Sequence, residues 1–445
     1  MCHFIKRHLH PADFLVFLGE SLHLGCRIKP ITRMNTRLIT LLLFMSCFTL
    51  EAQETTECQT RYFASVALRE SPYPAFQGIV PLAPEDALLR KHYRFTYDEQ
   101  QRLTSVSFWH RNHRDDPNHT ANYFMRSSIL QIDYEPEKEI YTYYDRFEHR
   151  IALADSTFRE VYSLDDRGRR VELHIENKDG DLIENRWGIA RYEWTVEVDG
   201  AIVEDRFGLD GTPRTIRTGF PFQRIRLRYE PNGLLALMQN IDAEGRLLNN
   251  ETGVAQDHLQ FDADGRWHGW RVLDADFNLK EGNGPGVAEG VNIPDEYGYE
   301  TSLHYLDRHG EHIRGNYGFW IGRRTYDQYG NYDATWFENP DGERTVNERL
   351  GYALADYTWD RSGRFLRSIA FYGANREPVL RKGGYHRMDR TYNDQGLLST
   401  ITFVDTNGQK INRSDNGAAV YVYVYDERNR LLKVDRFSKD GTSVE

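Results

Sequence analysis

The sequence predicts an all-β protein in which tandem β-hairpin repeats of about 33 residues form an elongated, curved antiparallel sheet. One observation is a fixed spacing, because four glycines follow one another at intervals of 33 residues: Gly318, Gly351, Gly384 and Gly417. A second is that the same order of turn-forming and strand-forming residues follows the glycines. A third is the strict alternation of Val and Tyr in residues 420–425, which is typical of a strand.

Each repeat carries the pattern of a hairpin turn. Eight positions after the glycine comes an aromatic residue, then Asp or Asn, and three positions later Gly or Asn; the strings are YDQYGN, WDRSGR, YNDQGL and YDERNR. Asp and Asn side chains bond the backbone two residues on, and Gly or Asn accepts a positive φ. The pattern therefore predicts two strands joined by a tight turn.

A strand-like run follows each turn and ends in a phenylalanine, before a second turn. These phenylalanines are Phe337, Phe371, Phe403 and Phe437. Single hairpins are marginal alone, so we expect stacked repeats to share one core. Two rows of rings are expected to stack in it, the phenylalanines and the aromatic residues of the first turns: Tyr326, Trp359, Tyr392 and Tyr425. This packing role is favoured over an exposed row of sugar-stacking rings.

The turn strings resemble the YD repeats of the RHS family. The matching strings are YDEQQRL at 97–103, FDADGR at 261–266, YDQYGN at 326–331 and YDERNR at 425–430. The resemblance implies a long sheet of hairpins that curls on itself. In that family large arrays wrap into shells around a cargo, often a toxin, and related arrays serve in cell-surface contact. This chain differs in its longer period and in having too few units for a large shell, and we expect no toxin domain after its last repeat.

The sequence divides into four predicted segments. Residues 1–52 are an upstream extension plus a signal peptide, with translation expected to start at Met34. Residues 53–90 are an N-terminal cap or lead-in, 91–154 an interrupted first repeat with a histidine-containing insertion, and 155–445 the YD-like repeat array.

The signal peptide is predicted from its three parts. Residues 34–37 form a short, positively charged segment, residues 38–50 form an apolar segment, and Ala52 precedes the expected cleavage point. The apolar part is too short to cross a bilayer, so we expect no stable membrane span and export to the periplasm, cell surface or medium. A short membrane anchor and lipidation at Cys47 are the alternatives.

The net charge bears on the class of binding partner, and the cysteine content bears on disulfide bonds. The net charge of −11 disfavours nucleic acid, because an acidic surface repels phosphate. Of the four cysteines only Cys58 follows the predicted signal, so we expect no internal disulfide.

Ligand-type side chains crowd together at one place, the insertion after residue 109. His110, His113 and His119 stand there beside Asp115 and Asp116, and three histidines are able to bind a divalent metal if the loop folds around it. The spacing fits no known metal motif, so a solvated loop is the favoured interpretation. The Asp-rich strings at 262–265 and 274–278 resemble calcium loops, but turn chemistry accounts for both.

No catalytic motif emerges, and we predict neither catalytic residues nor a cofactor or resident metal. The leading hypothesis is an exported, non-enzymatic binding or scaffold protein of the bacterial envelope or surface, with a protein or glycan partner. One alternative is a carbohydrate-binding protein or carbohydrate-active enzyme that uses the aromatic rows and carboxylates. Another is a reduced RHS-type toxin carrier.

Overall fold

The fold is all-β, as predicted, and consists of antiparallel hairpins joined into one elongated sheet. The computed structural model describes residues 59–117 and 127–444, which hold 25 strands and one short helix, α1 (Pro84–Ala87). The predictions for residues 1–52, for Cys58 and for His119 lie outside the described residues. In the described part no helix is both long and apolar enough to cross a membrane.

The strand boundaries repeat along the chain. The first strands are β1 (Gln59–Val66), β2 (Gly78–Leu82), β3 (Lys91–Tyr97), β4 (Leu103–His110), β5 (His113–Arg114), β6 (Ile129–Glu135), β7 (Lys138–Tyr144) and β8 (Arg159–Leu164). The middle strands are β9 (Arg170–Glu176), β10 (Arg191–Val196), β11 (Ile202–Phe207), β12 (Ile225–Tyr229), β13 (Leu235–Asn240), β14 (Gln256–Phe261), β15 (Trp267–Leu273) and β16 (Glu289–Pro294). The last strands are β17 (Glu300–Leu306), β18 (Ile321–Tyr326), β19 (Tyr332–Glu338), β20 (Leu354–Trp359), β21 (Leu366–Tyr372), β22 (Arg387–Tyr392), β23 (Leu398–Val404), β24 (Val420–Tyr425) and β25 (Leu431–Phe437).

The sheet is an open ladder that largely follows the order of the chain. Strand β2 pairs with β1, β1 with β3, and β4 with both β3 and β6, while β5 adds a short pairing to β4. From β6 to β25 each strand pairs with the next. The segment predicted as a lead-in thus contains β1, β2 and α1. Within the described residues the outer strands β2 and β25 do not pair with each other.

The turns follow the chemistry that the strings predict. At Asp327 one carboxylate oxygen accepts the N–H of Tyr329 at 2.8 Å and that of Asn331 at 2.9 Å, and Gly330 has a φ of 86°. The same pair of bonds recurs at Asp98, Asp165, Asp242, Asp262, Asp295, Asn339, Asn393, Asp405 and Asp426. The period glycines close a third turn in the connector, as at Gly351, whose N–H bonds the carbonyl of Asn347 at 2.7 Å.

One aromatic row does stack, but its membership differs from the prediction. Rings from successive strands and connectors touch in sequence at centroid distances of 4.5–6.0 Å: Tyr305, Phe319, Phe337, Tyr352, Phe371, Tyr385, Phe403 and Tyr421. We call this row the aromatic ladder. It includes three of the predicted phenylalanines and alternates them with tyrosines.

The prediction that Phe437 continues this row is wrong. Arg436, and not Phe437, takes the position of Phe403 in the last repeat, because Phe403 pairs with Met388 and Arg436 pairs with Tyr421 at the same place in their hairpins. The guanidinium of Arg436 lies 5.8 Å from the ring centroid of Tyr421. The spacing misled because Phe371 and Phe437 each follow the preceding phenylalanine of the predicted row by 34 residues. Only before Phe371 does an extra turn residue take up the difference, at Asp360, whose N–H bonds the carbonyl of Phe365. A shift of one residue along a strand reverses the face to which a side chain points.

The aromatic residues of the first turns play a different part from the predicted stack. Each donates a hydrogen bond to a carbonyl of the preceding hairpin: Tyr326 to Glu300 at 2.6 Å, Trp359 to Tyr332 at 2.9 Å, Tyr392 to Leu366 at 2.9 Å and Tyr425 to Leu398 at 2.9 Å. Their polar atoms therefore link consecutive units.

The first strands also contact first turns far along the ladder. Four turn carbonyls accept hydrogen bonds there: Tyr297 from Ser65 at 3.0 Å, Tyr329 from the N–H of Lys91 at 3.0 Å, Ser362 from His110 at 2.9 Å and Gly396 from Arg146 at 2.6 Å. We call this row of contacts the seam. In a flat ladder β1 and β16 would lie roughly 60 Å apart, at about 4.8 Å per strand. The sheet therefore bends, and its turns pass close to the first strands.

Candidate functional site

A cavity of about 550 Å³ lies between the inner face of the sheet and the segment that joins β1 to β2. We call residues 67–77 the strap. Its residues Leu68 to Pro72 and Phe76 form one wall, and side chains between Tyr143 and Tyr332 form the others. The cavity thus gathers residues that are far apart in the sequence.

Arginines hold the strap in place. Arg69 donates to the carbonyls of Pro72 at 2.6 Å and Pro74 at 3.0 Å, which fixes the strap's own bend. Arg170 on β9 donates to the carbonyl of Tyr73 at 2.7 Å and also pairs with Glu139. A guanidinium presents several N–H groups in a fixed plane, which suits bonding to exposed carbonyls.

A group of three charged residues, of which Asp257 is buried, joins the strap to the sheet. Arg217 forms a two-point ion pair with Glu70 of the strap. Asp257 on β14 is 3% exposed, and one of its carboxylate oxygens has no hydrogen-bond partner within the described residues. Burial raises the pKa of Asp257 well above its usual range, and the nearby charge of Glu70 raises it further, while Arg217 opposes both.

A buried ion pair stands on β11, where Glu204 and Arg206 are each 1% exposed at the side chain. Glu204 accepts hydrogen bonds from the Ser71 hydroxyl, from Trp194 Nε1 at 2.8 Å and from Arg206 Nε at 2.7 Å. Arg206 Nη1 bonds the carbonyls of Phe222 at 3.1 Å and Gln223 at 2.9 Å. Its Nη2 is buried without a partner among the described residues.

Two further polar atoms of the cavity wall are buried without a partner. Asn292 on β16 is 3% exposed; its Nδ2 donates to the carbonyl of Trp267 at 2.5 Å, whereas its Oδ1 accepts nothing in the described part of the chain. The indole N–H of Trp267 is likewise buried and unpaired there. Native proteins usually satisfy such atoms, and the residues that line this cavity contribute two donors and one acceptor of this kind.

The charges of the wall balance. Its cations are Arg69, Arg186, Arg206, Arg217 and Arg324, and its anions are Glu70, Asp155, Glu160, Glu204 and Glu300. Several of them form ion pairs across the wall, as Arg324 does with Glu300. Aromatic side chains complete the lining: Trp187, Tyr192, Trp267 and Tyr332.

The histidines that the sequence singled out do not form a metal site in the described structure. His110 is 2% exposed; its Nε2 bonds Ser362, and its ring lies 5.1 Å from that of Tyr329. His113 stands opposite it on β5 and is exposed. No group of three potential metal ligands occurs within residues 59–117 and 127–444.

The insertion instead reinforces the seam. Asp115 has a side chain only 6% exposed and lies 3.6 Å from Arg146 and 3.5 Å from Arg364. Asp116 accepts a hydrogen bond from Ser128 at 2.5 Å. The suspected calcium loop at Asp274 is a turn, because its carboxylate accepts the N–H groups of Asp276 and Asn278 at 2.9 Å.

Sequence reasoning missed the cavity entirely. A local signal exists in β11, whose sequence IVEDRF places Glu204 and Arg206 on the same face as buried Ile202. Charged residues on an apolar face of a repeat are a mark of a special position. The convergence of β11 with the strap and with β16 cannot be read from spacing, because it depends on how the sheet bends.

The chain matches no protein-family model, and no curated protein is similar to it in sequence. Among solved structures it is similar to the Tc holotoxin pore of Photorhabdus luminescens, with 12% identity, a TM-score of 0.27, and coverage of 80% of this chain and 19% of the toxin chain. A crystal structure of TcdB2-TccC3-TEV gives 12% identity, a TM-score of 0.28, and coverage of 82% and 20%. A crystal structure of a Lactobacillus plantarum protein gives 12% identity, a TM-score of 0.10, and coverage of 87% and 99%. The chain therefore spans about a fifth of the length of these toxin chains.

Proposed function

We propose that this chain is an exported, non-catalytic binding protein of the bacterial envelope or surface, and that it holds a small ligand in the cavity beneath the strap. The observation that carries the proposal is the presence of unpaired polar atoms on residues that are almost fully buried. Arg206 and Asn292 both line the cavity and are 2% and 3% exposed, and each carries one hydrogen-bonding atom without a partner among the described residues. A buried polar group without a partner costs about 1–3 kcal/mol, which a bound ligand would recover.

The state of the carboxylates supports binding over catalysis. A glycosidase needs one carboxyl group free to give a proton and another free to act as base or nucleophile. On this wall Glu204 already accepts three hydrogen bonds, and Glu70 and Glu300 are held by arginines. These pairs support a structural role for the acids.

The size of the cavity favours a small ligand over a protein cargo. Its volume of about 550 Å³ falls within the roughly 300–1,000 Å³ typical of small-molecule sites. A folded toxin domain is far larger than this. The proposed location follows from the signal-like residues 34–52, which precede the described part of the chain.

The test is to identify what the protein carries. Residues 53–445 are exported to a bacterial periplasm, purified without denaturation and then unfolded, and the released small molecules are measured by mass spectrometry. We expect one compound in near-equal molar ratio to the protein, and much less from Asn292→Ala. The exposed His113→Ala serves as the control and should carry the wild-type amount.

A protein captured from envelope extract, with no small molecule released or bound, would overturn the cavity as the binding site. Deletion of the insertion that begins at His110 is not a suitable control for this experiment. His110 and Asp115 hold the seam, so their removal would disturb the fold itself.

A further inference from the structure

We infer that the cavity takes an uncharged, polyhydroxylated ligand of the sugar class, the size of a mono- or disaccharide. This inference rests on the proposed function and adds the chemistry of the ligand. It combines three properties of one wall: balanced charge, spare hydrogen-bonding atoms of both kinds, and aromatic surface.

Charge balance argues against an ionic ligand. The five arginines of the wall face five carboxylates. Moving an ion from water into a buried site is expensive unless the site supplies an opposite charge that is not already paired. Arg206, Arg217 and Arg324 are each paired with a wall carboxylate. A neutral ligand leaves these pairs intact.

The spare atoms call for groups that both donate and accept. Arg206 Nη2 and Trp267 Nε1 are donors, whereas Asn292 Oδ1 is an acceptor. A carboxylate would serve the donors and leave Asn292 unpaired, and an ammonium group would do the reverse. A hydroxyl group donates one hydrogen bond and accepts two, so a ligand that carries several hydroxyls suits donors and acceptors alike.

Aromatic side chains supply the remaining surface. Trp187, Tyr192, Trp267 and Tyr332 lie on the same wall as these polar atoms. Small-molecule sites are usually lined by aromatic and apolar groups, with a few polar atoms that fix the orientation. A pyranose ring has apolar C–H faces and a rim of hydroxyls, which matches this division.

The test is a titration of the purified chain, residues 53–445, with named sugars by calorimetry and tryptophan fluorescence. The neutral probes are glucose, galactose, N-acetylglucosamine and maltose, and the charged probes are glucuronate and glucosamine. We expect at least one neutral sugar to bind, and its charged counterpart to bind at least about tenfold more weakly, a difference of about 1.4 kcal/mol.

Two variants localise the binding. Trp267→Phe removes an indole N–H that has no partner among the residues that the structure describes, so we expect a three- to tenfold loss of affinity with little change in thermal stability. Trp336→Phe is the matched control and should leave affinity unchanged. Trp336 does not line the cavity, and its indole N–H donates a hydrogen bond of 2.6 Å to Glu338. Asn292→Ala removes the free acceptor and provides a second, independent loss.

The outcomes separate this inference from the proposed function. Binding of charged ligands only, or neutral-sugar binding that neither cavity variant weakens, would overturn the sugar assignment. A small molecule of another class found in the purified protein would overturn it as well, while leaving the proposed function intact. If no small molecule binds at all, both are wrong.

Discussion

The imidazole Nε2 of His110 donates a hydrogen bond of 2.9 Å to the carbonyl oxygen of Ser362, 252 residues along the chain. This single bond joins β4 to the turn between β20 and β21, two parts of the ladder that share no strand pairing. Because a carbonyl oxygen only accepts hydrogen bonds, Nε2 must carry the hydrogen. The buried Nδ1 has no hydrogen-bond partner among the described residues.

Replacing His110 by Ala should therefore destabilise the fold by about 1–3 kcal/mol, since it removes an almost fully buried ring and its hydrogen bond to the Ser362 carbonyl. The free energy of unfolding from urea titration measures the effect. His113→Ala is the matched control, as its exposed side chain predicts a change within about 0.5 kcal/mol. Equal effects of the two substitutions would contradict the structural role of the seam.

The aromatic ladder gives a prediction about register. Phe403 is 1% exposed between Tyr385 and Tyr421, whereas Phe437 is only partly buried on the opposite face. We expect Phe403→Ala to cost about 3–5 kcal/mol and Phe437→Ala less than about 1 kcal/mol. Urea titration of both variants distinguishes them. A cost at Phe437 as large as that at Phe403 would mean that Phe437, and not Arg436, takes the position of Phe403 in the last repeat, which contradicts the observed register.

Histidine burial predicts a loss of stability in acid. The pKa of His110 is lowered to about 4, chiefly by burial, and further by the charge of Lys91. The pKa of His92 is also lowered to about 4, mainly by burial; its Nε2 accepts a hydrogen bond from Arg94 Nε at 3.2 Å, which protonation would break. In the unfolded chain a histidine has a pKa of about 6.5.

The sign follows from these values. Between about pH 6.5 and 4 the unfolded chain binds protons that the folded chain does not, so the free energy of unfolding falls as the pH falls. From pH 7 to 5 each histidine should remove about 2 kcal/mol. Urea titrations at several pH values measure the slope, and His92→Gln with His110→Gln should flatten it. An unchanged slope in the double variant would assign the acid sensitivity to other groups.

Asp257 predicts the opposite trend as the pH rises above about 3.9, the usual pKa of an aspartate in the unfolded chain. A buried carboxyl with a raised pKa stabilises the fold while protonated, and this contribution is lost as the pH rises through the folded-state value. Asp257→Asn stays neutral at every pH, so it should raise the free energy of unfolding at pH 8 by about 1–3 kcal/mol, with a smaller gain at low pH. If Asp257→Asn instead destabilises the fold at pH 8, the carboxylate is needed in its charged form. Glu289→Gln supplies the comparison, because Glu289 forms an ion pair with the exposed Arg271.

The turns were predictable from sequence because their chemistry is local. Asp327 and Gly330 act within four residues of each other, and the string alone fixes their bonds. The aromatic ladder was only partly predictable, since Phe437 follows Phe403 by 34 residues and no extra turn residue before it takes up the difference, as one does at Asp360 before Phe371. Spacing along a chain cannot reveal which residue a turn absorbs.

The cavity and the seam were beyond sequence reasoning for a different reason. Arg206, Asn292 and Ser71 come together only because the strap folds under the sheet and the sheet bends. The histidines of the insertion looked like metal ligands when read in order. Placed in the fold, His110 is committed to Ser362, and His113 faces solvent.

The seam also bears on how the chain reaches this fold. Arrays whose units touch only their neighbours can fold from any point and lose end units one at a time. Here Lys91 and His110 close loops of more than two hundred residues onto Tyr329 and Ser362. Such non-local contacts slow folding, because the entropy of loop closure is lost before the contact is gained. The seam therefore couples the first hairpins to hairpins more than two hundred residues later in the chain. For this reason we expect the array to fold slowly and to unfold as one cooperative unit.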